Sequence, residues 1–174
     1  GLPGLPLAAA ASGIPGGGPA AGSTPALEVR RWQAVGPGSA DGGGISDDAQ
    51  WSRQATLAVA PDGSPVVAWV NDWGYGAEIF VRRFDGAAWV EVGPGSATGG
   101  GLSSSGAFAY YPSLAIAPDG TPYVAWQAGD HRGSQIHVRR WTGSSWDEVG
   151  AGSAGADGIS GSTGFAAAPS LAFA

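Results

Sequence analysis

Apolar and polar positions along this chain fall into short runs of strand type, without the longer period of helices. From Ser113 to Val149 there are four such runs, 113–117, 122–127, 135–141 and 146–149, rich in Val, Ile, Tyr and Trp and separated by Gly, Asp and Pro. Their length and spacing predict one four-stranded antiparallel meander. Asp119-Gly120 supplies the positive-φ position that a tight hairpin needs, and Thr142-Gly143 does the same between the third and fourth runs. Within the third run Ile136 and Val138 point one way, while His137 and Trp141 point the other. Apolar residues of both parities predict a strand buried on both faces.

The pattern recurs. Trp32, Trp89 and Trp146 are spaced by 57 residues, as are Gly36-Pro-Gly-Ser-Ala40, Gly93-Pro-Gly-Ser-Ala97 and Gly150-Ala-Gly-Ser-Ala154. The aromatics Trp51, Phe108 and Phe165 keep this interval, and so do Val67-Ala68-Trp69 and Val124-Ala125-Trp126. Residues 1–26 are a Gly/Pro/Ala-rich arm or linker. Residues 27–174 carry the repeats, in units 32–88, 89–145 and a partial 146–174. In the first copy Val29-Arg30-Arg31-Trp32 runs into the fourth-strand register with no room for a turn, so 27–35 is expected as one outer strand. Segment 170–174 is expected as a first strand without the rest of its unit. The chain contains no Met, which is expected of a processed product, an excised fragment or an incompletely recorded sequence.

Self-similarity at this period, with four strands per unit, is the mark of β-propeller blades. On these residues the chain resembles bacterial exported β-propeller repeat proteins, the kelch-like and Asp-box sialidase-like blades. An Asp-box turn reads Ser-x-Asp-x-Gly-x-x-Trp, whereas Asp62-Gly63 and Asp119-Gly120 are adjacent here and Trp69 and Trp126 follow six residues after the Gly. The kelch diglycine is not cleanly present either. The fold expected is all-β: an array of four-stranded propeller-type blades, incomplete at both ends. The resemblance also implies export, to an extracellular or cell-surface location.

Composition narrows the function. A net charge of −6 with no basic run opposes nucleic acid or an anionic membrane surface as partner. With no Cys there is no disulfide or thiolate metal site, and no apolar run approaches a membrane span. The recurring arginines 82, 83, 139 and 140 are expected to be scaffold, stacked on Trp89 or Trp146 or paired with Glu91, Asp147 or Glu148.

In a meander, alternate connections lie at opposite ends. Tight turns repeat at one end; the other end has long loops (36–54, 93–111, 150–168) and the connections 71–77 and 128–134, where the copies differ. That end carries the candidate ligand-binding residues Trp73, Tyr75, Tyr110, Tyr111, His131 and Arg132. Trp51 is expected between neighbouring blades. Asp130-His131-Arg132 lacks a third partner for catalysis, and Asp41, Asp47 and Asp48 lack a calcium-loop spacing.

No cofactor or metal is expected, and the chain is expected not to be an enzyme. The function expected is an extracellular scaffold, binding or self-assembly module that associates through its incomplete ends, by way of Leu27, Val29, Trp32, Leu171 and Phe173. Its partners would be further copies of itself, the remainder of a longer chain, or a glycan. The alternatives are a lectin-like carbohydrate-binding module using the aromatic loop residues, and a piece of a sialidase-like glycoside hydrolase.

Overall fold

The computed structural model describes residues 32–106 and 108–174. Leu27 and Val29 therefore lie outside the described residues. The chain divides into a unit ending at Trp32 and a unit from Gln33 to Ala174, and the account that follows concerns the second.

Eight strands form in the order β1 (Trp51–Val59), β2 (Pro65–Asp72), β3 (Ala77–Phe84), β4 (Trp89–Glu91), β5 (Phe108–Ile116), β6 (Pro122–Asp130), β7 (Gly133–Trp141) and β8 (Trp146–Glu148). To within a residue, the last four are the first four displaced by 57 positions. Each set is an antiparallel meander. A single parallel bridge, Ala77 to Phe108, joins β3 to β5 and makes one open eight-stranded sheet. The described residues contain no helix. The fold is thus all-β, and the sheet does not close on itself.

The main core lies between the meanders. It joins Val66, Ala68 and Val70 of β2 and Ile79 and Val81 of β3 to Val124, Trp126 and Ala128 of β6. By register Val124, Trp126 and Ala128 correspond to Val67, Trp69 and Asn71, which lie on the opposite face of β2. One face of the first meander therefore meets the other face of the second. This is why both parities of these strands are apolar. Val67, Trp69 and Phe80 form a smaller cluster with Ala97, on which Ile45 and Trp89 pack.

The third strand of each meander would present a half-open edge, because β4 pairs only with Arg82–Phe84 of β3. The glycine-rich loop that follows covers the rest. Val81 N–H donates to Ser96 O at 2.8 Å, Leu102 N–H donates to Ile79 O at 2.7 Å, and Ser96 Oγ–H returns to Val81 O at 2.9 Å. Ser153, Ile159, Val138 and Ile136 repeat these bonds in the second meander. Gly101 is required for this approach, since a Cβ there would stand 2.4 Å from the Ile79 carbonyl. Covering an edge with hydrogen-bonded backbone blocks strand addition by another chain.

Several expectations are corrected. Residues 33–35 form no strand, so the outer strand expected over 27–35 is absent where described, and Trp32 is in no strand. Segment 170–174 is not a strand either. It keeps a third-unit register through the Ser134–Phe165 bridge, then lies on its own chain, with Leu171 N–H donating to Ser113 Oγ and Phe173 edge-on to Tyr123 at 4.9 Å. The long loops are shorter than expected, because β1 and β5 begin at Trp51 and Phe108. Trp51 and Phe165 are exposed at 70% and 68%, so this register is not packed between units as expected.

Candidate functional site

The antiparallel pairings put the hairpin turns 60–64 and 85–88 at one end of the first meander and the β2–β3 turn at the other. A cavity of about 510 Å³ lies at the first end and is lined by residues such as Asp62, Arg83, Asp119 and Trp141. Asp62 and Asp119 belong to hairpin turns that recur in both meanders, and Arg83 and Trp141 to the ends of β3 and β7 beside them. Ser64 holds the Asp62 carboxyl below its usual range, and Thr121 does the same for Asp119. Their hydrogen-bonding capacity is spent on the hairpins, so this cavity is a seam of the scaffold.

The residues that differ between meanders meet elsewhere. A cleft of about 480 Å³ opens on the outer face of the first meander, between loop 46–50, the β2–β3 turn and loop 97–99. Its rim carries Trp73 and Tyr75, rings 6.4 Å apart and edge to face. Trp73 is half-buried because its indole lies on Gly76, where a Cβ would stand 2.8 Å from Nε1, whereas Tyr75 is 86% exposed. Asp72 Oδ1 accepts the Gly74 N–H at 2.7 Å and shapes this turn.

The wall is Asp47 and Asp48, both exposed. The floor includes Asn71, Phe80 and Arg82. Asn71 is 5% exposed, and its Oδ1 has no hydrogen-bond partner. An unpartnered buried acceptor costs about 1–3 kcal/mol, so it is a place where a ligand's hydroxyl gains. Arg82 is fixed: its Nη1 donates to Ile45 O at 2.6 Å and its guanidinium lies 5.9 Å from the Trp69 ring. Arg139 repeats the contact on Leu102 O at 2.8 Å. Both arginines clamp the preceding long loop, and each also stands opposite a carboxylate expected of it, Arg82 by Glu91 and Arg139 by Glu148, whose carboxyls the positive charge helps to hold low. Glu91 caps the following loop; partial burial acts against it, yet hydrogen bonds from Ala97, Thr98 and Gly95 hold its carboxyl below the usual range.

Tyr110 and Tyr111 are not loop residues, since both lie in β5. Tyr110 closes a knot in which buried Asp72 pairs with Arg53, the Tyr110 hydroxyl donates to Asp72 at 3.3 Å, and the guanidinium stands 5.5 Å from the tyrosine ring. Sequence reasoning overlooked this pairing, because Arg53 and Asp72 have no counterpart in the second copy. Tyr111 is 49% exposed, at a bulge in β5. Its N–H donates to Gln54 Oε1 at 2.8 Å, across the 57-residue interval. Both residues have positive φ, 54° at Gln54 and 55° at Tyr111, and Ala168 at 51° keeps the register. His131 and Arg132 sit on the exposed β6–β7 turn, where the Arg132 N–H caps Asp130 at 2.8 Å and holds that carboxyl below its usual range. The structure thus brings Trp73 and Tyr75 together and leaves the other four candidates outside that cleft.

The chemistry available in the cleft is stacking and hydrogen bonding. Glu78 and Asp72 are neighbours in space but project to opposite faces of the sheet, because Asn71 pairs with Glu78 and Asp72 with Ala77. Glu78 is also saturated, accepting from Ser103 Oγ–H, Ser105 Oγ–H and the Ser105 and Gly106 N–H groups. These two carboxylates therefore do not form the facing pair that glycoside cleavage uses. Among the described residues no group of three or more His, Asp or Glu could hold a metal ion. No helix among them is long and apolar enough to cross a membrane.

No protein-family model matches the chain, and no curated protein matches its sequence. Solved structures similar in part include a glycosyl hydrolase from Bacteroides ovatus, at 13% identity and TM-score 0.39 over 58% of this chain and 31% of that one. An endo-1,4-beta-xylanase from Bacteroides thetaiotaomicron is 16% identical at TM-score 0.39, over 58% and 37% of the two chains. An endo-arabinase from the same organism is 17% identical at TM-score 0.40, over 60% and 44%. The chain spans less than half the length of each. Neither kelch-like nor Asp-box blades have a family match behind them. The expectation that the chain is not an enzyme is corrected here, since these similar structures are all of glycoside-cleaving enzymes. At this degree of similarity no activity passes to this chain.

Proposed function

We propose that the described part of the chain binds a neutral saccharide in the cleft of the first meander. The observation that carries this is the pairing of a rim of two aromatic rings, Trp73 and Tyr75, with a floor that offers a buried and unpartnered acceptor at Asn71. A sugar presents an apolar C–H face and a fringe of hydroxyls. The first suits aromatic rings, and the second suits the Asn71 amide and the carboxylates of Asp47 and Asp48. Such a ligand is met outside the cell or at its surface, which is the setting this reading implies.

In the same reading the meanders are propeller-type blades, supported by the 57-residue displacement and by a core in which unlike faces meet. Stacking of this kind extends to further units by the same contacts, whether in a second copy of the chain or in a longer chain that contains this one.

The test is calorimetric titration with neutral xylose-, glucose- and galactose-based oligosaccharides. Trp73→Ala and Tyr75→Ala should each weaken binding about tenfold, as the loss of one buried aromatic contact implies, with the unfolding midpoint nearly unchanged. Asn71→Ala, which installs the residue found at the same register in the second meander, should also weaken binding without loss of stability. Affinity unaltered in all three variants would remove the site. New reducing ends accumulating during the titration would identify the cleft as catalytic as well.

A further inference from the structure

The second meander has a cleft of its own in the same place. It measures about 350 Å³ and lies between loop 103–105, the β6–β7 face and loop 154–156. It therefore corresponds, register for register, to the cleft assigned above to a saccharide. Its chemistry is inverted. Where the first has Asp47 and Asp48, the second has Ser104 and Ser105; where the first has Phe80, it has His137; where the first has Asn71, it has Ala128. No carboxylate lines it.

What remains is a set of donors. Trp126 is 1% exposed, and its indole N–H has no hydrogen-bond partner. His137 is 8% exposed and stacked on Trp126 at 5.6 Å. Arg139 supplies the charge, with one nitrogen held by the Leu102 carbonyl and Glu148 opposite it on β8. Glu78 stands behind loop 103–105, engaged with Ser103 and Ser105. A buried N–H beside a cation, in a cleft without acceptors of negative charge, is complementary to oxygen atoms that carry charge; His137, kept neutral by burial and hydrogen-bonded to the Ala154 backbone, would gain its proton only with the anion bound.

We propose that this second cleft binds a small oxyanion, a carboxylate or sulfate group, free or carried on a sugar. The inference is independent of the first cleft, whose ligand could fail without affecting it.

The experiment exchanges residues between the meanders, so that each variant carries a side chain already accommodated at that register. Sodium sulfate, acetate, galacturonate and galactose are titrated calorimetrically against the full chain, against Ser104→Asp and against His137→Phe. Any uptake of galactose belongs to the first cleft and should not change with Ser104→Asp, whereas saturable uptake of sulfate and galacturonate is expected at the second. Ser104→Asp should abolish it, and His137→Phe should weaken it at least tenfold, with unfolding midpoints close to the parent. Asp47→Ser should leave it unchanged. Galacturonate at least tenfold tighter than acetate identifies a sugar-borne anion, and equal affinities identify the free anion. The proposal is overturned if no anion saturates the chain, or if Ser104→Asp, folded by circular dichroism, binds sulfate like the parent.

Discussion

At the register where β3 carries Phe80, β7 carries His137, and where Glu78 gathers loop 103–106, Gln135 gathers Ser160 and Ser162. Around these exchanges the contacts are the same. Arg82 and Arg139 clamp the preceding loop, Ser96 and Ser153 bond to the third strand, and Trp69 and Trp126 stand in the middle of the second. The comparison separates recurring side chains such as these, the cleft arginines included, from Asp47, Asn71 and Phe80 of the first cleft, which the second replaces by Ser104, Ala128 and His137. It also shows an asymmetry of burial, since Trp126 is in the main core and Trp69 in the small cluster.

That asymmetry gives the largest expected effect. Trp126→Ala should destabilise the fold by about 4 kcal/mol, in the range for large core truncations, and Trp69→Ala by about half as much. Urea unfolding of the two variants measures the difference; equal losses would show that the clusters are energetically alike. Next is the buried carboxylate. Glu78→Ala leaves several donors unsatisfied and should cost about 2–3 kcal/mol, while Glu78→Gln, the residue found in the second meander, should cost under about 1 kcal/mol. If the Gln variant is as unstable as the Ala variant, charge and not shape holds that loop.

The hairpins should behave alike. Gly63 and Gly120 have φ of 86° and 88°, and replacing either by Val forces a β-branched residue into that region at about 1–3 kcal/mol. A large difference between Gly63→Val and Gly120→Val would mean that the turns are not equivalent. The smallest effect is one of pH. Burial lowers the pKa of His137 from its ordinary 6.5. Below that pH the unfolded chain takes up a proton that the folded chain refuses, so stability is complete above 6.5 and declines as pH falls towards the folded value. His137→Phe should flatten this slope, as followed by the unfolding midpoint between pH 8 and pH 5.

Much of the fold was legible because the repeat is exact in length. Four strands per unit, the Asp-Gly hairpins and the division of loops into a constant and a variable end could all be read from spacing alone. What could not be read was set by contacts across units. β1 and β5 reach back to Trp51 and Phe108 because they pair with the far ends of β2 and β6, in segments whose polar residues in one copy and proline in the other resemble loop. Segment 170–174 repeats a strand sequence but pairs with no strand, and touches β5 and β6 through Ser113 and Tyr123. Of the candidate residues, Trp73 and Tyr75 were visible as large side chains without a counterpart. Asn71 was not, because its relevance comes from an empty hydrogen bond that only packing reveals.

The bulges at Gln54 and Tyr111 have a use in engineering. An amide and a phenol occupy the same left-handed backbone position in β1 and β5, so the surrounding ladder imposes that conformation on either side chain; Ala168 keeps the same φ sign outside any strand. Positions of this kind are mounting points: their direction is set by the scaffold and their chemistry is open. A library randomised at 54 and 111 would sample new recognition groups at a fixed orientation, with most of its members still folded.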